Sequence, residues 1–273
     1  MSGFLDEMAH GSARRVREAM RLESSDALER RARLTPPPPP LRLSAAGFDV
    51  IAELKLRSPA AGALGDVDRG LDARVTAYAR GGAAAVSVLT EPSRFDGSLA
   101  HLRQAAAVLA PFGVPAMRKD FIVDPYQVLE ARAAGAGGLL VILRMLPPAR
   151  IVELLDACAD HGLFVLLEAF DGADLEAAAG LLTARRNRRE LLLVGVNCRD
   201  LQTLEVVPQR FAALAAHLPP GPAVAESGVA TPADALAMRR LGYRLALIGT
   251  ALMARDDPAA LLADILESTR APG

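Results

Sequence analysis

Lys119 stands where the apolar run Gly113-Val114-Pro115-Ala116-Met117 gives way to Arg118-Lys119-Asp120, just before a helical pattern begins near Asp124-Pro125. A buried strand has little use for such charge, because each charge taken from water is costly unless it is paired or exposed. The charge therefore marks a strand mouth, either as a solvated loop or as chemistry. Other apolar runs end in the same way: in Glu53-Leu54-Lys55, Thr90-Glu91, Glu168, Asn197-Cys198-Arg199-Asp200 and Glu226-Ser227-Gly228. Lysine and glutamate in such company can move protons, and the planar fork of an arginine suits a carboxylate or a phosphate. On a strand, residues two apart face the same side, so Glu53 can pair with Lys55, and Asn197 and Arg199 share one face. Small residues follow two of the later runs, as Ser227-Gly228 and Gly249-Thr250. Backbone N–H groups can approach an anion there, which predicts a phosphorylated small molecule as ligand.

The elements that must position these residues follow from periodicity. Short apolar runs are predicted as strands at Val50–Lys55, Ala84–Leu89, Val114–Met117, Leu139–Leu143, Phe164–Leu167, Leu191–Val196, Ala223–Ala225 and Leu245–Ile248. Helical patterns lie between them. Several open on a capping residue or a first-turn proline, as at Ser98, Pro147-Pro148, Thr231-Pro232 and Asp257-Pro258. Strand followed by helix, repeated eight times, predicts an α/β fold of the (β/α)8 TIM-barrel type. An open doubly wound sheet is the weaker alternative, because no G-x-G-x-x-G turn follows the first strand. A barrel also explains why the polar residues cluster at strand ends, since its chemistry gathers at the carboxyl ends of several strands.

Residues 1–33 read as one or two amphipathic helices, and Pro36–Pro40 as a stiff extended connector. The expected organisation is a single domain over 1–273, with an N-terminal helical extension and proline-rich connector at 1–48 and the barrel at 49–273.

Composition narrows the function. In 273 residues, 31 basic side chains face 32 acidic ones and aromatic residues make up 4%, which argues against a nucleic-acid partner. Cys158 and Cys198 have no metal-ligand or disulfide spacing, consistent with a reducing cytoplasm. No signal peptide and no membrane-length apolar run is apparent, so a cytoplasmic protein without a membrane partner is expected. His10, His101, His161 and His217 are scattered, and nucleotide motifs are missing. The expectation is acid–base and electrostatic chemistry with no metal and no cofactor.

Taken together, I-A-E-L-K-L-R-S-P (51–59), V-S-V-L-T-E-P-S-R-F-D-G-S (86–98), R-K-D-F-I-V-D-P-Y-Q-V-L-E-A-R (118–132), G-V-N-C-R-D-L (195–201), A-E-S-G-V (225–229) and G-T-A-L-M (249–253) resemble indole-3-glycerol phosphate synthase, a (β/α)8 enzyme of tryptophan biosynthesis. The resemblance is collinear from about Phe4 to Leu266. It implies Lys119 as the general acid of ring closure and Glu168 as the acid–base group of dehydration. It further implies Lys55 as a substrate contact that shares in proton transfer and Glu53 as the group holding both lysines. Asn197, Arg199, Glu226, Ser58 and Phe121 would contact or orient the substrate, and Ser227, Gly228, Gly249 and Thr250 would hold its phosphate. Other tryptophan-pathway enzymes are the expected protein partners.

The chain departs from the family pattern in Lys55-Leu56-Arg57-Ser58-Pro59-Ala60-Ala61-Gly62, in Cys198, in Ala169-Phe170 and in Val67-Asp68-Arg69-Gly70. These departures fit a second copy serving a secondary pathway. Two competing readings are a related phosphosugar isomerase and a catalytically silent phosphosugar-binding paralogue or scaffold. The first gives no reason for the K-D-F segment with a long N-terminal helix. The second gives none for Glu53, Lys55, Lys119, Glu168, Asn197 and Arg199 together.

Overall fold

The computed structural model describes residues 3–45, 47–55, 57, 58, 62, 63, 70–188, 190–201 and 203–270. Helices α1 (Gly3–Leu22) and α2 (Ser25–Leu34) come first. The barrel strands are β1 (Asp49–Leu54), β2 (Ala85–Leu89), β3 (Ala116–Lys119), β4 (Gly138–Ile142), β5 (Phe164–Ala169), β6 (Leu192–Asn197), β7 (Ala223–Glu226) and β8 (Leu245–Ile248). Each pairs in parallel with its neighbours, and β1 pairs with both β2 and β8, closing the ring. The main barrel helices are α3 (Leu71–Arg80), α4 (Leu99–Leu109), α5 (Pro125–Ala133), α6 (Pro148–Asp160), α7 (Gly172–Arg185), α8 (Gln209–Leu214), α9 (Pro232–Arg240) and α10 (Pro258–Arg270).

Local sequence explains where the helices start. Ser98 caps α4 by accepting from the His101 N–H, and Asp124 and Thr231 form capping boxes with Gln127 and Asp234 at the heads of α5 and α9. Both boxes precede a first-turn proline, whose missing N–H would have had no partner there. The strands are buried on both faces, so their side chains sort by parity alone. One set, including Val50, Val86, Val165 and Val194, packs under the helices; the other, including Ile51, Met117, Leu166 and Val224, fills the barrel.

The N-terminal extension wraps this barrel from one end to the other. Leu5 and Met8 of α1 join the interior cluster at the carboxyl rim, and the Ser12 hydroxyl donates to the Phe121 carbonyl. Helix α2 packs against α5 through Leu28, Ala32 and Tyr126. The proline connector then passes Gly137, where a β-carbon would lie 3.1 Å from the Pro39 carbonyl oxygen. Leu41 and Leu43 pack on the interior cluster near the start of β1, where Ser44 donates to Asp49. No helix among the described residues is long and apolar enough to cross a membrane.

Several expected strand ends need correction: β1 stops at Leu54, short of Lys55, while β5, β6 and β7 run on through Glu168, Asn197 and Glu226, and the expected strand Val114–Met117 shifts as well. β3 extends through Arg118 and Lys119, so the charge belongs to the strand itself rather than following it. Arg118 faces the helix layer, where it is buried and satisfied by Asp120, Glu130 and the Gln127 carbonyl. Lys119, one residue on, faces the interior. Parity alone sends the two cations to different fates.

Candidate active site

Strand register assembles a ring of charge. Moving around the barrel, Glu53 pairs with Ser87, Leu89 with Lys119, Ile142 with Glu168, Asn197 with Glu226, and Leu247 with Glu226. The partner climbs two residues on each even-numbered strand, which leaves Glu53, Lys119, Glu168 and Glu226 at one height on β1, β3, β5 and β7. Alternate strands supply each layer of such a barrel. Here the layer is three glutamates and a lysine, and the interior residues of the even strands separate it from the apolar layer of Ile51, Met117, Leu166 and Val224.

Room for these side chains comes from glycine on the intervening strands. A β-carbon on Gly195 of β6 would collide with Glu226 Oε1, and one on Gly249 after β8 would collide with Glu53 Oε1. Gly249 was expected only at an anion corner, and Gly195 was not expected at all. The signal in the sequence was a glycine inside a strand, which often marks close approach by another group.

Lys119 Nζ lies 3.8 Å from Glu53 Oε2 and 3.8 Å from Glu168 Oε2, and Lys55 Nζ lies 3.3 Å from Glu53 Oε1. Burial pushes the Glu53 carboxyl up, but Lys55 and Lys119 outweigh it and hold the group below the usual glutamate range. Burial likewise pulls the Lys119 ammonium down, and Glu168, Glu53 and Glu226 more than reverse this, so its pKa is raised. Lys55 also donates to the Thr250 hydroxyl at 2.8 Å, joining the charged layer to the loop after β8.

The remaining expected residues divide between the cavity and the scaffold. Asn197 accepts from the Arg199 N–H and from the Ser227 hydroxyl, fixing the turn after β6 to the turn after β7. Arg199 lies beyond the end of β6 and donates to the Leu204 carbonyl while lining the cavity. Ser227 and Gly228 take left-handed conformations, with φ of 68° and 77°, and both line the cavity with Gly249 and Thr250. Phe121 stacks edge-on with Phe4, ring centres 5.9 Å apart. Ser58 sits on one of two short antiparallel strands, Arg57–Ser58 and Gly62–Ala63, and its side chain lies outside the described residues. So do Leu56, Pro59–Ala61 and Val67–Arg69 of the loop departures.

Not every charged strand end serves the site. Glu91 caps the turn Pro92–Phe95 and pairs with Arg15 of α1. Asp120 pairs with Arg118 and Arg15 and accepts from Thr90 and from the Phe121 N–H. Asp200 accepts from the Thr203 N–H in the next turn. Arg15, which sequence reasoning missed, thus ties α1 to the ends of β2 and β3. Among the departures, Cys198 is buried and its thiol meets the Ser227 carbonyl, while Phe170 lies under the Arg144 guanidinium at 4.9 Å.

Burial pushes the Asp120 carboxyl up, yet Arg118, Arg15 and the hydrogen bonds outweigh burial and leave it lowered. A depressed carboxylate contributes stability that is complete above its unfolded value near 3.8 and is lost as pH falls through the lower folded value. Thermal melting followed from pH 6 downward is therefore expected to show a steeper acid loss in the wild type than in Asp120→Asn, whose melting curve should be lower but flatter. Parallel pH profiles would refute this assignment.

The cavity is about 360 Å³. At the β2–β4 side it is apolar, walled by Phe4, Leu5, Phe95, Phe121, Leu140 and Ile142. Across the charged layer, at the β7–β8 side, it is lined by Ser227, Gly228, Ala230, Gly249, Thr250 and Ala251. Phe4, Leu5 and Phe95 were not assigned from sequence; helical spacing alone does not say which apolar residue overhangs a cavity.

Comparison with known proteins agrees with this architecture. Among solved structures, 3-hexulose-6-phosphate synthase from Salmonella typhimurium superposes with a TM-score of 0.60 at 14% identity, covering 81% of this chain and 98% of that one. Thiamine phosphate pyrophosphorylase from Pyrococcus furiosus gives 0.55 at 14% identity over 82% and 95%. At that identity the likeness speaks for the fold alone. Sequence relatives are far nearer. Indole-3-glycerol phosphate synthase from Parafrankia sp. is 40% identical over 271 residues, covering 98% of this chain and 97% of that one. The protein of the same name from Nocardioides sp. is 43% identical over 229 residues, with 83% and 84% covered, and that from Mycobacterium tuberculosis is 40% identical over 274 residues, with 98% and 95% covered. The family model described as indole-3-glycerol phosphate synthase matches residues 5–265, and this chain belongs to the indole-3-glycerol phosphate synthase family.

Proposed function

We propose that the protein closes an indole ring, converting 1-(2-carboxyphenylamino)-1-deoxyribulose 5-phosphate into indole-3-glycerol phosphate with loss of carbon dioxide and water. The observation that carries this reading is the gradient along the cavity. Its apolar end suits an aromatic ring, its charged layer suits a reacting carbonyl, and its glycine-rich end suits a phosphate. Helix α1 supplies part of the apolar wall, which supports treating the extension and barrel as one functional domain.

The chemistry follows the order of the bonds. The ring carbon bearing the carboxylate attacks the ketone carbon of the sugar chain, and Lys119 gives a proton to the ketone oxygen as that oxygen gains charge. Carbon dioxide then leaves, and its bonding pair restores the aromatic ring. Finally the new hydroxyl departs as water while a proton leaves the adjacent carbon, with Glu168 as the acid–base group. Glu53 holds Lys55 and Lys119 in place, Arg199 and Asn197 orient the carboxylate end of the substrate, and Lys55 contacts the substrate from the phosphate side. Phe121 lies against the ring. Ser58 is assigned to substrate contact on the family pattern alone. What the chain supplies at each step is proton transfer and charge from this layer, and the carbon–carbon bond making and breaking draw on the substrate's own electron pairs.

The test is to mix the chelator-treated protein with the carboxyphenylamino-deoxyribulose phosphate and follow indole absorbance and fluorescence. Product formation is the expected result. Folded protein that binds this substrate without forming indole would replace the synthase reading with that of a silent phosphosugar-binding paralogue.

Gly249→Ala probes the layer without touching a charge. The new methyl would push Glu53 from its place between the two lysines, and a misplacement of about 1 Å is worth ~10²-fold in rate. Turnover is expected to fall by about that factor, and the overpacking to cost ~1–3 kcal/mol of stability. Unchanged turnover would show that Glu53 need not sit where it does.

A further inference from the structure

Glu226 is 1% exposed, and neither of its carboxyl oxygens has a hydrogen-bond partner; Glu168 Oε2, in the same layer, has none either. No ion pair among the described residues reaches Glu226, whereas Glu53 and Glu168 both lie beside Lys119. An isolated, buried, ionised carboxylate is prohibitively costly, and such a group neutralises instead.

The geometry supplies the means. β5 and β7 are separated by β6, and the β6 residue paired with Glu168 is Gly195. Because Gly195 has no side chain, Glu226 Oε1 occupies the space a β-carbon would take. That turns Glu226 across β6 toward Glu168, and a hydrogen bond between the two would give partners to carboxyl oxygens that otherwise have none. Two carboxylates can form such a bond only if one of them carries a proton. Glu168 is the member of the pair with a cation in ion-pair range, Lys119 Nζ at 3.8 Å from its Oε2, and Glu226 has none among the described residues. The proton then belongs on Glu226.

We propose that Glu226 is a neutral carboxylic acid at neutral pH that donates its hydrogen bond to Glu168, so that the two acids hold one proton between them and Glu226 positions Glu168. The charged groups facing Glu226 are Glu53 from β1, Lys119 from β3 and Glu168 from β5, with Lys55 held on Glu53 and Arg199 above β6. Burial first, and the Glu168 charge second, raise its pKa well above the usual glutamate range, and Lys119 opposes them without prevailing. This replaces the substrate-orienting role expected for Glu226. The protonation stands on the ligand-free geometry; the positioning role rests on the ring-closing reading.

Infrared spectroscopy of the ligand-free protein at pH 7 tests the protonation directly. The wild type is expected to show the carbonyl stretch of a buried, un-ionised carboxylic acid, lost on alkaline titration and absent from Glu226→Gln. Absence of the band from the wild type, or its persistence in Glu226→Gln, would overturn the proposal. The wild-type titration decides this even where a variant fails to fold. The positioning role is read kinetically. Glu226→Gln keeps a donor for Glu168 and is expected to retain kcat within about threefold while losing the wild-type alkaline limb, because an amide has no proton to shed. Glu226→Leu is expected to lose about 10- to 100-fold in kcat with KM little changed. A loss confined to KM in both variants would return Glu226 to substrate binding. A protein that shows the band but makes no indole would leave the shared proton standing and remove the synthase reading instead.

Discussion

Lys119→Met is expected to lower turnover by about 10²- to 10⁴-fold while the substrate still binds. Methionine nearly matches the lysine in length and removes both the proton and the charge. The expectation rests on where the cation sits: at the interior end of β3, with a carboxylate 3.8 Å away on either side, from Glu53 and from Glu168. Those acids outweigh burial and raise the ammonium's pKa, so the proton is retained through neutral pH and is available to a ketone oxygen gaining charge. The end of the cavity proposed to take the phosphate is lined by other residues, so calorimetry should find binding within a few-fold of the wild type. Lys119→Arg refines the test, since a guanidinium keeps the charge but does not release a proton in this range. If charge alone is needed, arginine will restore the rate; if a proton is transferred, it will not. Near-normal turnover in Lys119→Met would remove this residue as the acid.

Much of this ring is legible in the sequence because barrel geometry is periodic. Strand parity put Glu53 and Lys55 on one face, and the observed pair at 3.3 Å follows from that spacing. The (β/α)8 alternation placed the charged strand ends at one rim, and the strand register bears that out. The same logic overreached for Glu91 and Asp120. Both sit at the rim, but the Glu91 side chain turns back to cap Pro92–Phe95 and Asp120 turns outward to Arg118 and Arg15. Charge at a strand mouth says that a group is near the site, whereas its rotamer decides whether it serves chemistry or scaffold.

The apolar wall was not legible, for a different reason. Phe4 and Leu5 belong to a helix far from the barrel strands in sequence, and an amphipathic pattern shows that a face is buried without naming what it covers. The docking of α1 is set by long-range contacts that no local period encodes: Ser12 to the Phe121 carbonyl, Gln127 to Ser12, and Arg15 to both Glu91 and Asp120. Gly195 was hidden in the same sense. Its role is an absence of volume, visible only once register sets it beside Glu168 and the Glu226 carboxyl group fills the gap.

Glu168→Gln separates the two halves of the reaction. Glu168 stands in the charged layer with Lys119 on one side and Glu226 on the other, and glutamine preserves its shape while removing its ability to exchange a proton. On the proposed mechanism ring closure draws on the Lys119 proton and should proceed, while dehydration draws on a group that takes up and gives back a proton and should stall. Release of carbon dioxide is therefore expected to continue at a rate within about tenfold of the wild type, while indole absorbance lags by about 10²- to 10⁴-fold. The decarboxylated, still hydroxylated intermediate should accumulate and be seen by mass spectrometry, one water heavier than the product. Parallel loss of carbon dioxide release and indole formation would place Glu168 in the first half of the reaction. Full retention of both would leave dehydration to another member of the layer, of which Glu53 is the ionised candidate, since Lys55 and Lys119 hold its carboxyl below the ordinary range against the pull of burial.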